Sequence, residues 1–411
     1  MAVYVMKDLL LTIVGFGGVL HFAYPIFAQT WIPTSAPTTN WAGVASSADG
    51  SKLAAVVARD NQGNPGPIYT SVDSGATWTQ TSAPLMNWTC VASSADGTKL
   101  VAGIFQGSLH TSVDSGMNWI DNDSLPFYWS SVASSADGTK LVATTYGVQN
   151  NPIYTLDRSS DPGWTWVETS APYGPWKSVA SSADGRRLVA ARRTWGEPGI
   201  EHSGSIWTST DSGLTWQFEP AVPLGDWQCV ASSADGGRLV AMGVGPVYTS
   251  ADSGVTWTKA TAAPVRDWFA VASSADGTKL VAVASDVRQL FLSTNSGVTW
   301  MNAGAPVIQW TSVASSADGS KLVAVAGGVS GVGRIYTRRP AIAPVLSITI
   351  SGSNALINWP TSSTGFRLQE NPDLSSTNWT DLTATPGVTN QQNQVSVSTA
   401  DGARFYRLKH P

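Results

Sequence analysis

The chain has 411 residues, a formal net charge of −4 and only 13% charged residues, about half the usual share. It carries neither the basic stripe that nucleic acid requires nor a basic amphipathic helix that favours a membrane surface, so neither partner is predicted. The four histidines show no metal-ligand spacing and no glycine-rich phosphate loop occurs, so we predict no metal and no cofactor.

Residues 1–28 are predicted to be an export signal. Lys7 precedes an apolar stretch, Leu9–Phe27, which ends at the small residue Ala28. An uncleaved membrane anchor is the alternative, because the stretch approaches the length that spans a bilayer. His21 and the glycines within the stretch favour cleavage. No second apolar run of that length follows, so we expect a soluble mature chain that is secreted, periplasmic or held at the cell surface.

A repeated segment fills the middle of the chain. The pattern W-x-x-V-A-S-S-A-D-G occurs seven times at intervals of 41 to 51 residues, at Trp41, Trp88, Trp129, Trp176, Trp227, Trp268 and Trp310. Each copy continues with two short apolar runs, and the first six copies then add, with a few substitutions, the pattern S-x-D-x-G-x-T-W. Apolar runs separated by Asp- and Gly-containing turns predict four strands per copy. The sequence therefore predicts an all-β fold, a seven-bladed β-propeller over residues 29–337.

The ends of the array predict how the ring closes. Residues 29–35 match the fourth strand of a repeat, whereas the seventh copy ends at Ile335–Thr337 without that strand. We expect the N-terminal strand to complete the last blade and so to remove the open sheet edges.

A change of composition marks a second domain. After a linker at residues 338–344, residues 345–411 alternate apolar and polar side chains between turn residues. This pattern predicts a small C-terminal β-sandwich.

Two further residue sets bear on the core. We expect the repeated tryptophans to fill space between blades; a sugar-stacking ring is the alternative if they are exposed beside polar residues such as Asn87, Asp226 or Asp267. Cys90 and Cys229 occupy the same slot of two repeats three copies apart. We therefore expect two buried thiols and no disulfide.

The S-x-D-x-G-x-T-W pattern is similar to the Asp box of the BNR-repeat families. It is complete at Ser71–Trp78, Ser159–Trp166, Ser209–Trp216 and Ser250–Trp257, and it departs at Asn118 and Asn295. The resemblance implies a folded turn between the third and fourth strands whose acidic residues are structural. These residues are Asp73, Asp114, Asp161, Asp211, Asp252 and, by substitution, Asn295. Residues 345–411 resemble immunoglobulin-like or fibronectin-like modules of secreted bacterial proteins.

Loop length varies on one face of the predicted ring, and functional residues are commonly placed in such loops. The longest insertion follows the second strand of the fourth copy; an ordinary solvated loop is the alternative. The predicted contact residues are Arg192, Arg193, Trp195, Glu197 and His202.

The resembling families include sialidases, xyloglucanases, sortilin receptors and a photosystem II assembly factor. The chain lacks the Arg-Ile-Pro signature of sialidases, and most of its acids lie in repeated turns, so we predict no catalytic residues. Our hypothesis is a monomeric, secreted, non-catalytic binding or scaffolding protein for a glycan or a protein. The alternative is a sialidase-like or xyloglucanase-like glycoside hydrolase, with candidate acids Asp60, Glu197, Glu201, Asp226, Asp267 and Asp286.

Overall fold

A computed structural model describes most of the chain. The described residues are 30–60, 62–122, 126–147, 151–159, 165–193, 204–327 and 333–338, with 4–5, 346–351, 354–360, 367–372, 378–390, 392–398 and 405–409. The regular elements in these ranges are β-strands, and none of the described residues belongs to a helix long and apolar enough to cross a membrane. The predicted export signal lies outside the described residues except for Tyr4–Val5, which forms β1. Internal contacts divide the chain into two units, Thr30–Arg339 and a second made of Met1–Gln29 with Pro340–Pro411.

The strands of the first unit follow the sequence repeats, which we number 1 to 7. Strand β2 (Trp31–Pro33) precedes the repeats. The strands of the first three repeats are, in repeat 1, β3 (Trp41–Ser46), β4 (Leu53–Val57), β5 (Ile68–Ser71) and β6 (Thr79–Gln80); in repeat 2, β7 (Trp88–Ser93), β8 (Leu100–Ile104), β9 (Leu109–Ser112) and β10 (Ile120–Asp121); and in repeat 3, β11 (Trp129–Ser134), β12 (Lys140–Thr145), β13 (Ile153–Asp157) and β14 (Val167–Glu168). The strands of the other four are, in repeat 4, β15 (Trp176–Ser181), β16 (Leu188–Arg192), β17 (Ile206–Ser209) and β18 (Gln217–Phe218); in repeat 5, β19 (Trp227–Ser232), β20 (Leu239–Gly245), β21 (Tyr248–Ser250) and β22 (Thr258–Lys259); in repeat 6, β23 (Arg266–Ser273), β24 (Leu280–Ala284), β25 (Gln289–Ser293) and β26 (Met301–Asn302); and in repeat 7, β27 (Trp310–Ser315), β28 (Leu322–Ala326) and β29 (Ile335–Arg338).

Repeats 1 to 4 each form an antiparallel four-stranded sheet in chain order. Repeats 5 and 6 depart from the prediction of separate sheets, because β20 and β23 also pair with each other, Val244 with Asp267 and Gly245 with Arg266. Only Pro246 and Val247 separate β20 from β21, so β20 continues to the end of the sheet, where it meets the start of β23. The two repeats therefore share one eight-stranded sheet.

The N-terminal strand completes repeat 7, as the sequence predicted. Strand β2 pairs antiparallel with β29, with Trp31 opposite Arg338 and Pro33 opposite Tyr336. Repeat 7 thus gains its fourth strand from the opposite end of the repeat array.

A second circuit closes at the turns between the first and second strands. In each A-D-G turn the alanine amide donates a 2.7 Å hydrogen bond to the alanine carbonyl of the next repeat. Seven such bonds form a closed ring through Ala48, Ala95, Ala136, Ala183, Ala234, Ala275, Ala317 and back to Ala48. The first strands β3, β7, β11, β15, β19, β23 and β27 contact one another in the same circular order, so they surround a central channel.

The repeated tryptophans are buried, at 0% to 5% exposure, and they pack among the apolar residues of neighbouring repeats. The space-filling interpretation is confirmed, and an exposed sugar-stacking ring of these residues is excluded. Cys90 and Cys229 are buried free thiols, as predicted.

The second unit contains two four-stranded sheets. Its further strands are β30 (Ser347–Ser351), β31 (Asn354–Pro360), β32 (Arg367–Asn371), β33 (Thr380–Asp381), β34 (Gly387–Thr389), β35 (Gln392–Ser398) and β36 (Phe405–Lys409). One sheet has the order β30-β31-β35-β34 and the other β1-β36-β32-β33. Ile357, Trp359 and Val395 of the first sheet share a buried core with Leu368 and Tyr406 of the second.

Candidate functional site

Each repeat carries a β-bulge at one residue of its first strand. The pairing with the second strand shifts between the tryptophan and the residue two positions later, so the residue between them is unpaired. A bulge of this kind redirects a side chain. The bulge positions are Ala42, Thr89, Ser130, Lys177, Gln228, Phe269 and Thr311.

In repeats 2, 3 and 7 the bulge position has a structural role. The hydroxyls of Thr89, Ser130 and Thr311 donate to the tryptophan carbonyl of the next repeat, at 2.6, 2.8 and 2.9 Å. These short polar side chains therefore tie adjacent repeats together.

Repeats 4, 5 and 6 break this pattern, because Lys177, Gln228 and Phe269 stand at the bulge position. Phe269 is 37% exposed although it lies on a first strand. Three consecutive repeats therefore present large, chemically different side chains where the others present small ones. A ligand site on a repeat scaffold is expected at such a departure from symmetry.

The Lys177 ammonium lies between aromatic side chains of two other repeats. Its Nζ is 5.7 Å from the ring centre of Tyr146 in repeat 3 and 5.5 Å from that of Phe269 in repeat 6. Its charge also acts on the thiols of Cys90 and Cys229, in repeats 2 and 5. Burial of the half-buried ammonium, together with the nearby Arg193 guanidinium, lowers the pKa of Lys177.

We call the surface around Lys177 that is formed by Phe105, Tyr128, Tyr146, Arg193, Asp226 and Gln228 the channel mouth. One side of this mouth is aromatic. Phe105, Tyr128 and Tyr146 form a chain of edge-to-face contacts with ring centres 4.9 and 5.6 Å apart. Phe105 is 38% exposed and the two tyrosines are half-buried, so the chain offers apolar surface to solvent. Burial raises the pKa of Tyr128.

The other side of the mouth is polar. Arg193 binds Asp226 through two hydrogen bonds, Nε to Oδ1 at 2.7 Å and Nη2 to Oδ2 at 3.0 Å. The Gln228 amide donates to the same Oδ2 at 3.0 Å. The hydrogen bonds that Arg193 donates to the Asp226 carboxylate raise the pKa of Arg193. The Arg193–Asp226 pair is thus a neutral unit next to the Lys177 ammonium.

The predicted contact residue Arg192 requires a correction, because it is only 2% exposed. It lies opposite Trp176 across the sheet, with its guanidinium 5.9 Å from the Trp176 ring, and it donates to the Tyr173 carbonyl at 2.7 Å. Gly174 leaves the space that this guanidinium fills. Arg192 is the last residue of the buried strand β16, whereas Arg193 follows the strand and pairs with Asp226.

The other predicted contact residues, Trp195, Glu197 and His202, lie outside the described residues, as does Asp161 of the predicted turn residues. Lys177 and Phe269 were missed by the sequence prediction. A comparison of the residues directly after each repeated tryptophan would have found them, since Lys177, Gln228 and Phe269 stand out from Ala, Thr and Ser in that column.

The S-x-D-x-G turns lie at the opposite end of the sheets and hold their own acids. In repeat 1 the Asp73 carboxylate accepts from the Thr77 amide at 2.9 Å and from the Ser71 hydroxyl at 2.8 Å. The Ser74 backbone, at φ 59°, donates to the Ser51 carbonyl and so links this turn to the A-D-G turn. The same carboxylate arrangement recurs at Asp114, Asp211 and Asp252, and Asn295 reproduces it with its amide oxygen.

No three His, Cys, Asp or Glu side chains among the described residues converge in a way that could hold a metal ion.

Comparison with solved structures identifies the fold. Similar structures include YCF48 bound to D1 peptide (13% identity, TM-score 0.53, covering 78% of this chain and 99% of that one) and YCF48 from Cyanidioschyzon merolae (13%, 0.56, 76% and 99%). A third is Kuenenia stuttgartiensis hydrazine synthase (15% identity, TM-score 0.56, 76% and 98%). At these identities the similarity shows the fold alone, and that fold is a β-propeller. No known family model and no curated protein matches the sequence.

Proposed function

We propose that this chain is a seven-bladed, Asp-box-type propeller that acts as a binding protein, with the mouth of its central channel as the ligand surface. The observation that carries the proposal is the departure from repeat symmetry at Lys177, Gln228 and Phe269. Stability alone does not require this departure, since small residues at the equivalent positions of the other repeats maintain the same strand geometry.

The chemistry of the mouth suits a ligand with both apolar and charged groups. The exposed edge of the Phe105, Tyr128 and Tyr146 chain offers rigid aromatic surface, which commonly dominates the binding energy of recognition sites. Lys177 and the Arg193–Asp226 pair offer charge beside it. YCF48 is described in complex with a peptide, so a propeller of this type can hold a polypeptide. We therefore favour a polypeptide ligand over a glycan.

A glycoside hydrolase is less well supported by the candidate acids. Such an enzyme needs two carboxylates free to act across a cleft. Asp226 is occupied by Arg193 and Gln228, and Asp60 accepts from Gln62 and Asn64 of its own loop. The Asp286 carboxylate lies 3.9 Å from Arg266. Asp267 is exposed, and Glu197 and Glu201 lie outside the described residues.

We propose that residues 1–28 direct export and that the two C-terminal sheets form a sandwich module that attaches or spaces the propeller. Cell fractionation of the full chain, with and without residues 1–28, tests export.

The test of function is a screen of the purified full chain against a peptide array and a polysaccharide panel, with product analysis for hydrolysis. Tyr128→Ser should weaken binding about tenfold, the effect of losing one aromatic contact. Leu214→Ser is the matched control, because Leu214 is 74% exposed in a turn at the opposite end of the sheets. Released sugar would instead favour the hydrolase, and equal loss in both variants would reject the mouth as the binding surface.

A further inference from the structure

The ammonium of Lys177 has an unusual environment. Two aromatic ring centres lie within 6 Å of its Nζ, and none of the described residues accepts a hydrogen bond from it. A lysine ammonium carries three donors and is ordinarily satisfied by carboxylates, carbonyls or bulk water. Two ring faces supply attraction but no directed acceptor. The described residues therefore offer the Lys177 ammonium aromatic surface but no hydrogen-bond acceptor.

We infer that the channel holds a carboxylate-binding site in which Lys177 binds the carboxylate of a slender, apolar organic acid and Phe269 and Tyr146 pack against its body. The acid is either a free small molecule or the carboxyl end of a longer chain. The site shares Lys177, Phe269 and Tyr146 with the ligand surface proposed above, so this inference rests on that proposed function and names a chemical group that the surface binds.

The net charge of the groups around Lys177 indicates the class of ligand. Among the described residues, the titratable groups that face Lys177 are Arg193, Asp226, Tyr146, Cys90 and Cys229. Arg193 and Asp226 neutralise each other through two hydrogen bonds, and burial raises the thiol pKa of Cys90 to about 11. Burial likewise raises the pKa of Cys229. When Lys177 is protonated, these described groups leave one net positive charge, which matches a monocarboxylate better than a phosphate dianion.

The apolar part of the ligand follows from the neighbouring side chain. Phe269 is 37% exposed on β23, where Asp267 is the other exposed residue. An aliphatic or aromatic body beside Phe269 would remove that surface from water, which favours binding in proportion to the area covered.

Isothermal titration of the full chain with phenylacetate tests the site, with phenylacetamide as the uncharged probe. We expect saturable binding of phenylacetate, little binding of the amide, and a loss of about ten- to hundredfold in Lys177→Met, the effect of removing one charged hydrogen bond. Lys259→Met is the matched control, because Lys259 is exposed on an outer strand. Lys177→Arg should restore part of the affinity.

A blocked peptide ending in a free phenylalanine carboxylate, compared with its C-terminal amide, identifies the source. Binding of phenylacetate alone indicates a free acid, and binding of the peptide acid as well indicates a chain end; both support the site. Unchanged phenylacetate affinity in Lys177→Met, no phenylacetate binding by the wild type, or tighter binding of inorganic phosphate overturns it. If Lys177→Met does not fold, NMR of the reductively methylated wild type replaces it: the Lys177 resonance should shift with phenylacetate, and an unchanged resonance overturns the site. Tyr128→Ser, the mouth variant used above, separates the two results: it should lose polymer binding but keep phenylacetate binding.

Discussion

Trp31, at the start of the repeat array, lies directly opposite Arg338, at its end, in the pairing of β2 with β29. The Trp31 ring is 7% exposed and lies 6.1 Å from the ring of Trp310, with which it shares a buried apolar cluster. One short strand thus supplies both hydrogen bonds and core volume to the closure of the ring.

Trp31→Ala should therefore raise the free energy of the folded ring by about 3–5 kcal/mol, because it leaves a cavity where the two ends of the repeat array meet. Ile32→Ala on the same strand is the control, since Ile32 is 59% exposed and should change the unfolding free energy by less than about 0.5 kcal/mol. Deletion of residues 29–37 should abolish the cooperative transition. Chemical denaturation measures all three, and an unchanged transition in the deletion would reject the closure.

Asp73→Asn should be tolerated at neutral pH, whereas Asp73→Ala should cost about 1 kcal/mol, because alanine leaves the Thr77 amide without its acceptor. Asn295 already makes the equivalent bond to the Thr299 amide at 2.9 Å, so the chain contains its own control. Denaturant midpoints of the two variants check the order. Equal stability of Asp73→Ala and Asp73→Asn would show that the carboxylate bonds contribute nothing.

The wild type and Asp73→Asn should also differ in how their stability changes with pH. Partial burial opposes ionisation of Asp73, but the hydrogen bonds from Thr77 and Ser71 lower its pKa from 3.8 to about 2. A lowered folded-state pKa stabilises the fold above the unfolded value and loses this contribution as pH falls through the folded value. Stability of the wild type should therefore fall between pH 4 and pH 2 more steeply than that of Asp73→Asn. Thermal melts across this range measure the difference.

For Glu219 we expect a change of stability with pH that is opposite in sign. Its side chain is 5% exposed, and burial raises its pKa above 4.5 although the Thr208 hydroxyl donates to it. A raised pKa contributes stability below the unfolded value and loses it as pH rises through the folded value. Glu219→Gln should therefore gain stability relative to the wild type as pH rises from 4 to 7. The exposed Glu168→Gln is the comparison in thermal melts, and a constant difference across pH would contradict this account.

Asp226→Asn should tighten phenylacetate binding several-fold at low ionic strength, since it leaves Arg193 positive beside Lys177. Added salt should reduce the gain, because the Debye length falls to about 3 Å at 1 M. Asp252→Asn removes an exposed carboxylate at the other end of the sheets and should leave the affinity unchanged. Titration calorimetry at two salt concentrations checks the prediction, and weaker binding by Asp226→Asn would contradict it.

Much of the fold could be predicted because each repeat reuses the same local interactions. The tryptophan spacing gave the repeat count, and the matching sequence of residues 29–35 gave the closing strand. The join between repeats 5 and 6 could not be predicted, since it depends on Val244 and Asp267 meeting at the ends of strands from different repeats. Of the predicted contact residues that the structure describes, Arg193 reaches the mouth and Arg192 is buried, and Lys177 was not singled out.

The sequence by itself determined the strands, the turns and the acids that the turns hold, because those hydrogen bonds join residues a few positions apart, as between Asp73 and Thr77. Only the tertiary structure decided which side chains meet in the channel. Lys177 and Phe269 belong to different repeats, and a bulge in each first strand turns them toward the centre. Ring closure brings these positions together, and their distance along the chain gives no indication of it.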